Sequence, residues 1–128
     1  MSETSEEDEI RERKAAEYRE QRTAPEEPVH VAGPDHFQEL IGSGVVLVDF
    51  YADWCGPCKM PEPVVESIAA ETATTVLTVD VDSQQALARD YDIQGVPTLF
   101  LFVDGEQVEH LVGAQDEETV RSLVAAHA

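Results

Sequence analysis

The sequence predicts an α/β fold, a mixed central sheet in the order βαβαβαββα with helices on both faces. Three observations predict it. Short runs rich in β-branched and apolar residues alternate with segments of helical period across residues 29–128. The last two strand-like runs are separated by Asp104-Gly105, a tight-turn pair that makes them an antiparallel hairpin, whereas the earlier runs are joined through helices. The chain has 128 residues, enough for one hydrophobic core.

Residues 29–31 form a short first strand. Residues 34–41 form a short helix, with Pro34 at its start and Gly42-Ser43-Gly44 ending it. Residues 45–51, Val-Val-Leu-Val-Asp-Phe-Tyr, are nearly continuously apolar and suit a strand buried on both faces, interrupted by a single acid, Asp49. From Pro57 to about residue 72, Met60, Val64, Val65 and Ile68 recur at helical spacing. This helix contains Pro61 and Pro63, and an interior proline removes a hydrogen bond and clashes with the preceding turn, so the segment is expected to bend near the cysteines. Residues 75–81 are a β-branched strand, 83–91 a short helix, 98–103 and 107–112 the hairpin strands. Residues 116–126 are an amphipathic helix turning Val120, Leu123 and Val124 inward.

Residues 1–28 differ in composition, with ten acidic and five basic side chains and few large apolar ones. Thr4 with Glu7 and Ser5 with Asp8 are possible helix starts, and Glu7–Arg11 and Glu9–Arg13 are favourable i,i+4 pairs. A mobile, partly helical charged arm is expected, solvating the protein or docking a partner. The whole chain carries 27 acidic and 8 basic residues, a net charge of −19. Such a surface repels nucleic acid and anionic membranes. It fits either adaptation to a high-salt cytoplasm or a merely acidic protein with an acidic tail. There is no apolar run of transmembrane length and no basic-then-apolar leader at the N-terminus, so a cytoplasmic location is expected.

Structural disulfides are rare in that compartment, so two cysteines three positions apart point to redox chemistry or metal binding. In Trp54-Cys55-Gly56-Pro57-Cys58 the pair follows a buried strand and opens a helix. There the unpaired backbone N–H groups and helix dipole favour a thiolate, the nucleophile of disulfide exchange. Cys55, at an exposed cap, is expected to attack a substrate disulfide. Cys58, one turn in, is expected to resolve the mixed disulfide. Zinc wants four ligands, and His30, His36, His110 and His127 lack ligand spacing, so no metal site is expected. Asp49 is costly to bury, and burial raises its pKa. That suits it to accept the Cys58 proton; a solvent-facing strand-end acid is the alternative.

These stretches, with Tyr91-Asp92-Ile93-Gln94-Gly95-Val96-Pro97-Thr98, Asp104-Gly105 and Val112-Gly113-Ala114, resemble the thioredoxin family in order over about 100 residues. The resemblance implies a thioredoxin-like domain over 29–128 and protein disulfide reductase activity through a Cys55–Cys58 disulfide, with no bound cofactor. It also implies disulfide-bearing protein substrates, a reductase as electron donor, and a monomer. Pro97 matches the family's cis-proline, and Val96 would offer backbone groups to an extended substrate. Trp54, Gly56, Pro57, Gly95, Val96, Gly113 and Ala114 would form the docking surface. The Gly-Pro spacer resembles the reducing members.

Three departures stand out. The family commonly has a buried lysine near the aspartate; Thr78 occupies that position, so the Asp49 pKa is expected to rise further. Tyr51 replaces an expected tryptophan. Pro63 matches a family kink proline, whereas Pro61 is additional. Two other functions fit less well: a binding or scaffold module docking through its arm, and a disulfide isomerase or oxidant.

Overall fold

The structure, a computed structural model, describes residues 24–128. The expected helical arm falls mainly on residues 1–23 and so lies outside the described ones.

Five strands form one mixed sheet in the order β1-β3-β2-β4-β5. They are β1 (Val29–His30), β2 (Val45–Tyr51), β3 (Thr75–Asp80), β4 (Thr98–Val103) and β5 (Glu106–Val112). β3 runs parallel to both β1 and β2, while β4 is antiparallel to β2 and to β5. The nearly all-apolar β2 therefore sits in the middle of the sheet, with six of its seven residues, Asp49 among them, buried. At the β4–β5 turn, Asp104 (φ 50°) and Gly105 (φ 87°) both take left-handed backbone, the geometry that matches hairpin twist.

Side chains alternate across the sheet, so each face has its own core. On one face Val46, Val48, Phe50, Leu77, Phe100 and Phe102 pack against helix α1 (Pro34–Ile41) and helix α3 (Gln85–Asp90), through Phe37, Ile41 and Leu87. On the other, Val45, Leu47, Val76, Leu99 and Leu101 meet helix α2 (Glu62–Glu71) and helix α4 (Glu117–His127), through Val65, Ile68, Val120 and Val124. Arg121 of α4 pairs with Glu71 of α2 and tethers the two helices. Asp116 caps α4, its Oδ1 accepting the Thr119 N–H at 2.8 Å.

The expected single bent helix from Pro57 to residue 72 is instead two pieces. Pro57–Lys59 forms a 3-10 turn, and the α-helix proper starts at Glu62. Pro61 is the N-cap and Pro63 lies in the first turn. The first N–H groups of a helix have no intrahelical partner, so Pro63 sacrifices no hydrogen bond there. The two prolines restart the helix rather than bend it. The helix expected over 83–91 also starts later, because the Asp80 side chain accepts the Asp82 N–H at 2.9 Å and its carbonyl accepts the Gln84 N–H at 2.8 Å, holding a turn ahead of α3.

Candidate active site

Strand β2 ends at Tyr51, and the chain turns through Ala52–Trp54 into the cysteine motif. Cys55 and Cys58 are joined by a disulfide, with their Cα atoms 5.3 Å apart. They pack with Ala52, beside Tyr51, Val81 and Val96. The Cys55 N–H donates to the Ala52 carbonyl at 3.1 Å, and the Cys58 N–H donates to Cys55 Sγ at 3.2 Å.

Two sequence expectations change here. Cys55 is buried, at 4% exposed, against 2% for Cys58. The exposed cap is Trp54, at 72%, and in the disulfide the Cys55 sulfur is turned in against Ala52 and Val96. The long helix dipole is also absent, because three residues of 3-10 turn follow and the α-helix begins later. The donor beside the Cys55 sulfur is instead the local Cys58 N–H.

Around the buried sulfurs lies a rim of accessible groups. Trp54, Gly56, Pro57, Met60, Gly95 and Ala114 are exposed. The Val96–Pro97 peptide bond is cis, and Cys55 Sγ lies 3.7 Å from the Val96 carbonyl oxygen. Gly113 joins this loop because its N–H donates to the Pro97 carbonyl at 2.8 Å, and Thr98 Oγ1 donates to the Gly95 carbonyl at 2.7 Å. Three chain segments far apart in sequence thus meet at the disulfide. Sequence reasoning missed Asp82, whose Oδ2 accepts the Trp54 indole N–H at 2.9 Å and fixes the ring on the surface. Its only sequence signal is an acid just past the end of β3. Asp82→Ala frees the indole, and a hydrogen bond to a carboxylate that is open to water contributes about 1 kcal/mol. KM for a protein disulfide is expected to rise about fivefold, with kcat and Tm nearly unchanged, as read by steady-state kinetics and thermal unfolding.

Asp49 lies on the α2–α4 face of β2, with Thr78 of β3 and Leu99 of β4 as register partners. It is 2% exposed, and its Oδ1 has no hydrogen-bond partner among the described residues. Burial pushes its carboxyl up to about 7, and the Glu62 charge adds to the rise. It therefore points inward rather than to solvent at a strand end. No hydrogen bond joins it to either sulfur. Burial also raises the Tyr51 phenol, helped by Asp80, Asp53, Asp49 and Glu62. Asp49 and Thr78 line a cleft of about 770 Å³ that also holds Asp53, Glu62 and Glu66. These neighbours come from three different elements, and only Glu62 and Glu66, at i,i+4, share a face readable from sequence. An ammonium placed by Thr78→Lys would sit beside Asp49. Its pKa is expected to fall by at least about one pH unit, measured by carboxyl-carbon NMR titration; an unchanged value rules out this account of the raised pKa.

Residues 28–126 match the family model described as Thioredoxin. A thioredoxin of Chlamydia trachomatis is 46% identical over 100 residues, 77% of this chain and 98% of its own. A thioredoxin of Staphylococcus aureus is 43% identical over 93 residues, 71% of this chain and 89% of its own. Among solved structures, a point mutant of the thioredoxin from Halobacterium salinarum NRC-1 is similar with a TM-score of 0.78. It is 51% identical, over 81% of this chain and 93% of that one. A thioredoxin of Malassezia sympodialis is similar with a TM-score of 0.71 and 35% identity, over 78% of this chain and 93% of that one.

Proposed function

The chain belongs to the thioredoxin family, a thiol–disulfide oxidoreductase with protein disulfide reductase activity carried by the Cys55–Cys58 couple, and from that premise we propose how its residues divide the reaction. The Cys55 thiolate attacks one sulfur of a protein disulfide, forming a mixed disulfide and releasing one substrate thiolate. Asp49 takes the proton of Cys58. The Cys58 thiolate then attacks the Cys55 sulfur, forming the Cys55–Cys58 disulfide and releasing the second substrate thiolate. Two electrons pass to the substrate, and a reductase returns them.

The observation that carries this division is the buried, unpaired Asp49, with its pKa near 7. A general base works best when its pKa is close to the working pH. The substrate docks as an extended segment along Val96, with Pro97 beneath it. It is flanked by Trp54, Gly56, Pro57, Gly95, Gly113 and Ala114. The exposure of Trp54 and Met60 around an otherwise buried disulfide supports this.

The thioredoxin-like domain, residues 29–128, carries the activity; of the arm, residues 1–28, the end at Glu26, Glu27 and Pro28 lines the cleft beside Asp49. The protein works as a monomer in the cytoplasm. Among the described residues no helix is long and apolar enough to cross a membrane. The net charge of −19 and the likeness to a Halobacterium thioredoxin support a high-salt setting.

The test is the reduction potential of the Cys55–Cys58 couple against a dithiothreitol buffer. The expected value is near the roughly −270 mV characteristic of thioredoxin, a family value rather than one derived from this geometry. A potential more oxidising by about 100 mV, in the range of isomerases and oxidants, overturns the reductase reading.

A further inference from the structure

Trp54 stands 72% exposed, directly before Cys55 in the chain. Its indole N–H is already used, donating to Asp82 Oδ2 at 2.9 Å. The ring is therefore held in one orientation and has no donor left for a substrate. What it offers is its π-face, which attracts cations. Asp82 is exposed as well, and its second oxygen, Oδ1, accepts no hydrogen bond among the described residues. The backbone on either side of that carboxylate is tied down. The Asp82 N–H donates to Asp80 Oδ1 at 2.9 Å, and the Gln85 side-chain amide donates to the Asp82 carbonyl at 3.4 Å. A free carboxylate oxygen thus has a fixed place at the edge of an open aromatic face, one residue from the redox disulfide.

The field at this corner is negative. Asp53, next to Trp54 in the chain, is exposed, and residues 51–57 and 80–85 contain no lysine, arginine or histidine. Burial, and then the charges of Asp80, Asp53, Asp49 and Glu62, raise the phenol of Tyr51, which packs beside the cysteines. An apolar side chain laid on Trp54 would strip water from the Asp82 carboxylate and leave it unpaired, which is costly. A cation laid there pairs with it. A guanidinium suits both groups, because it stacks flat on an indole and forks to a carboxylate, whereas an ammonium is a compact, strongly hydrated point charge. Salt screens separated charges far more than stacked groups in contact.

We propose that Trp54 and Asp82 form a seat for an arginine next to the cysteine that Cys55 attacks. The preferred substrates are then protein disulfides with an arginine beside the reactive cysteine. The effect on turnover rests on the reductase reading above; the seat itself needs only the two side chains.

Two synthetic disulfides test it, each a dimer of one short peptide joined through its single cysteine. One peptide carries arginine next to the cysteine and citrulline, its uncharged isostere, at the far end. The other has the two exchanged. Their net charges are equal, so long-range attraction to a protein of net charge −19 does not separate them. The second-order rate constant with the reduced full-length protein is read in single turnover. Each is divided by that of the same peptide with dithiothreitol, which removes the effect of arginine on the leaving thiol. The peptide with arginine beside cysteine is expected to react about tenfold faster, the combined worth of an exposed cation–π contact and an exposed ion pair. Asp82→Asn keeps an oxygen for the indole N–H and removes the charge, so the preference is expected to fall to about threefold.

Equal normalised rates for the two peptides, or a preference that Asp82→Asn leaves unchanged, overturn the seat and leave the reductase reading standing. A protein that reduces neither peptide overturns the reductase reading instead. The seat is then read without turnover, from the fluorescence of Trp54, the chain's only tryptophan. The titrant is the first peptide with serine in place of cysteine. Its Kd is expected to be about threefold weaker for Asp82→Asn, and an equal Kd overturns the seat.

Discussion

Cys58→Ser is expected to stop the reaction at the mixed disulfide. The variant keeps the Cys55 nucleophile and its exposed rim of Trp54, Gly56 and Pro57. It loses the thiol that expels the substrate, so a covalent adduct between Cys55 and a protein disulfide partner accumulates. Mass spectrometry without reductant should show one substrate per protein. Cys55→Ser should form no such adduct, because the Cys55 sulfur, which accepts the Cys58 N–H at 3.2 Å and lies beside the Val96 carbonyl, is then gone. Each variant should lose turnover by about a thousandfold or more, since residues that act as one unit do not contribute additively. The same adduct forming in Cys55→Ser but not in Cys58→Ser would reverse the two roles. The burial values alone, 4% and 2%, do not separate them.

Asp49→Asn is expected to stabilise the fold and slow the enzyme. In the native protein the carboxyl titrates at about 7 rather than 3.8. Between those values the native state binds more protons than the unfolded chain, so stability falls as pH rises through the window. Below pH 4 both states are protonated and the group contributes nothing. Above pH 7 the full penalty applies. At 1.36 kcal/mol per tenfold change in proton affinity it is about 4 kcal/mol. Urea unfolding should therefore show the variant more stable than the parent by up to about 4 kcal/mol at pH 8, and no more stable at pH 4. The cost appears in kinetics. A positioned base contributes about a hundredfold or more to proton transfer, so release of the second substrate thiolate should slow by about that factor at pH 7. The deficit should narrow toward pH 9, where an ordinary thiol, pKa about 8.5, ionises unaided. A uniform deficit across pH would point to misplacement of Cys58 rather than loss of a base.

Stability and rate pull Asp49 in opposite directions, and its position explains why. A strand buried on both faces has no hydrogen-bond partner to offer a carboxylate, so the charge is tolerated only where it serves chemistry. Thr78 opposite it brings no charge to relieve the penalty, and Glu62 nearby deepens it.

Much of this molecule was legible along the chain, because its signals are local. The apolar run at Val45–Tyr51, the Asp104-Gly105 turn and the caps around residues 34–44 each depend on neighbours a few positions away. So does the Cys55–Cys58 spacing, which one backbone turn closes. The two prolines were harder. Periodicity carried the helix straight through Pro61 and Pro63, whereas the backbone uses them to begin a new helix at Glu62. Periodic patterns count side-chain positions and are blind to where the hydrogen-bond ladder restarts.

By itself the sequence determined the family, the order of the elements, the redox pair and an acid held inside an apolar strand. Each is written in adjacent or periodically spaced residues. Only the tertiary structure decided what surrounds them. It turned the Cys55 sulfur inward and left Trp54 at the surface, held there by Asp82 from beyond the next strand. It also gathered carboxylates from the segment before β1, the loop after β2 and helix α2 around Asp49. Solvation and field depend on distances in space. Residues as far apart in sequence as Glu26 and Glu66 share one cleft only because the sheet and α2 pack against each other.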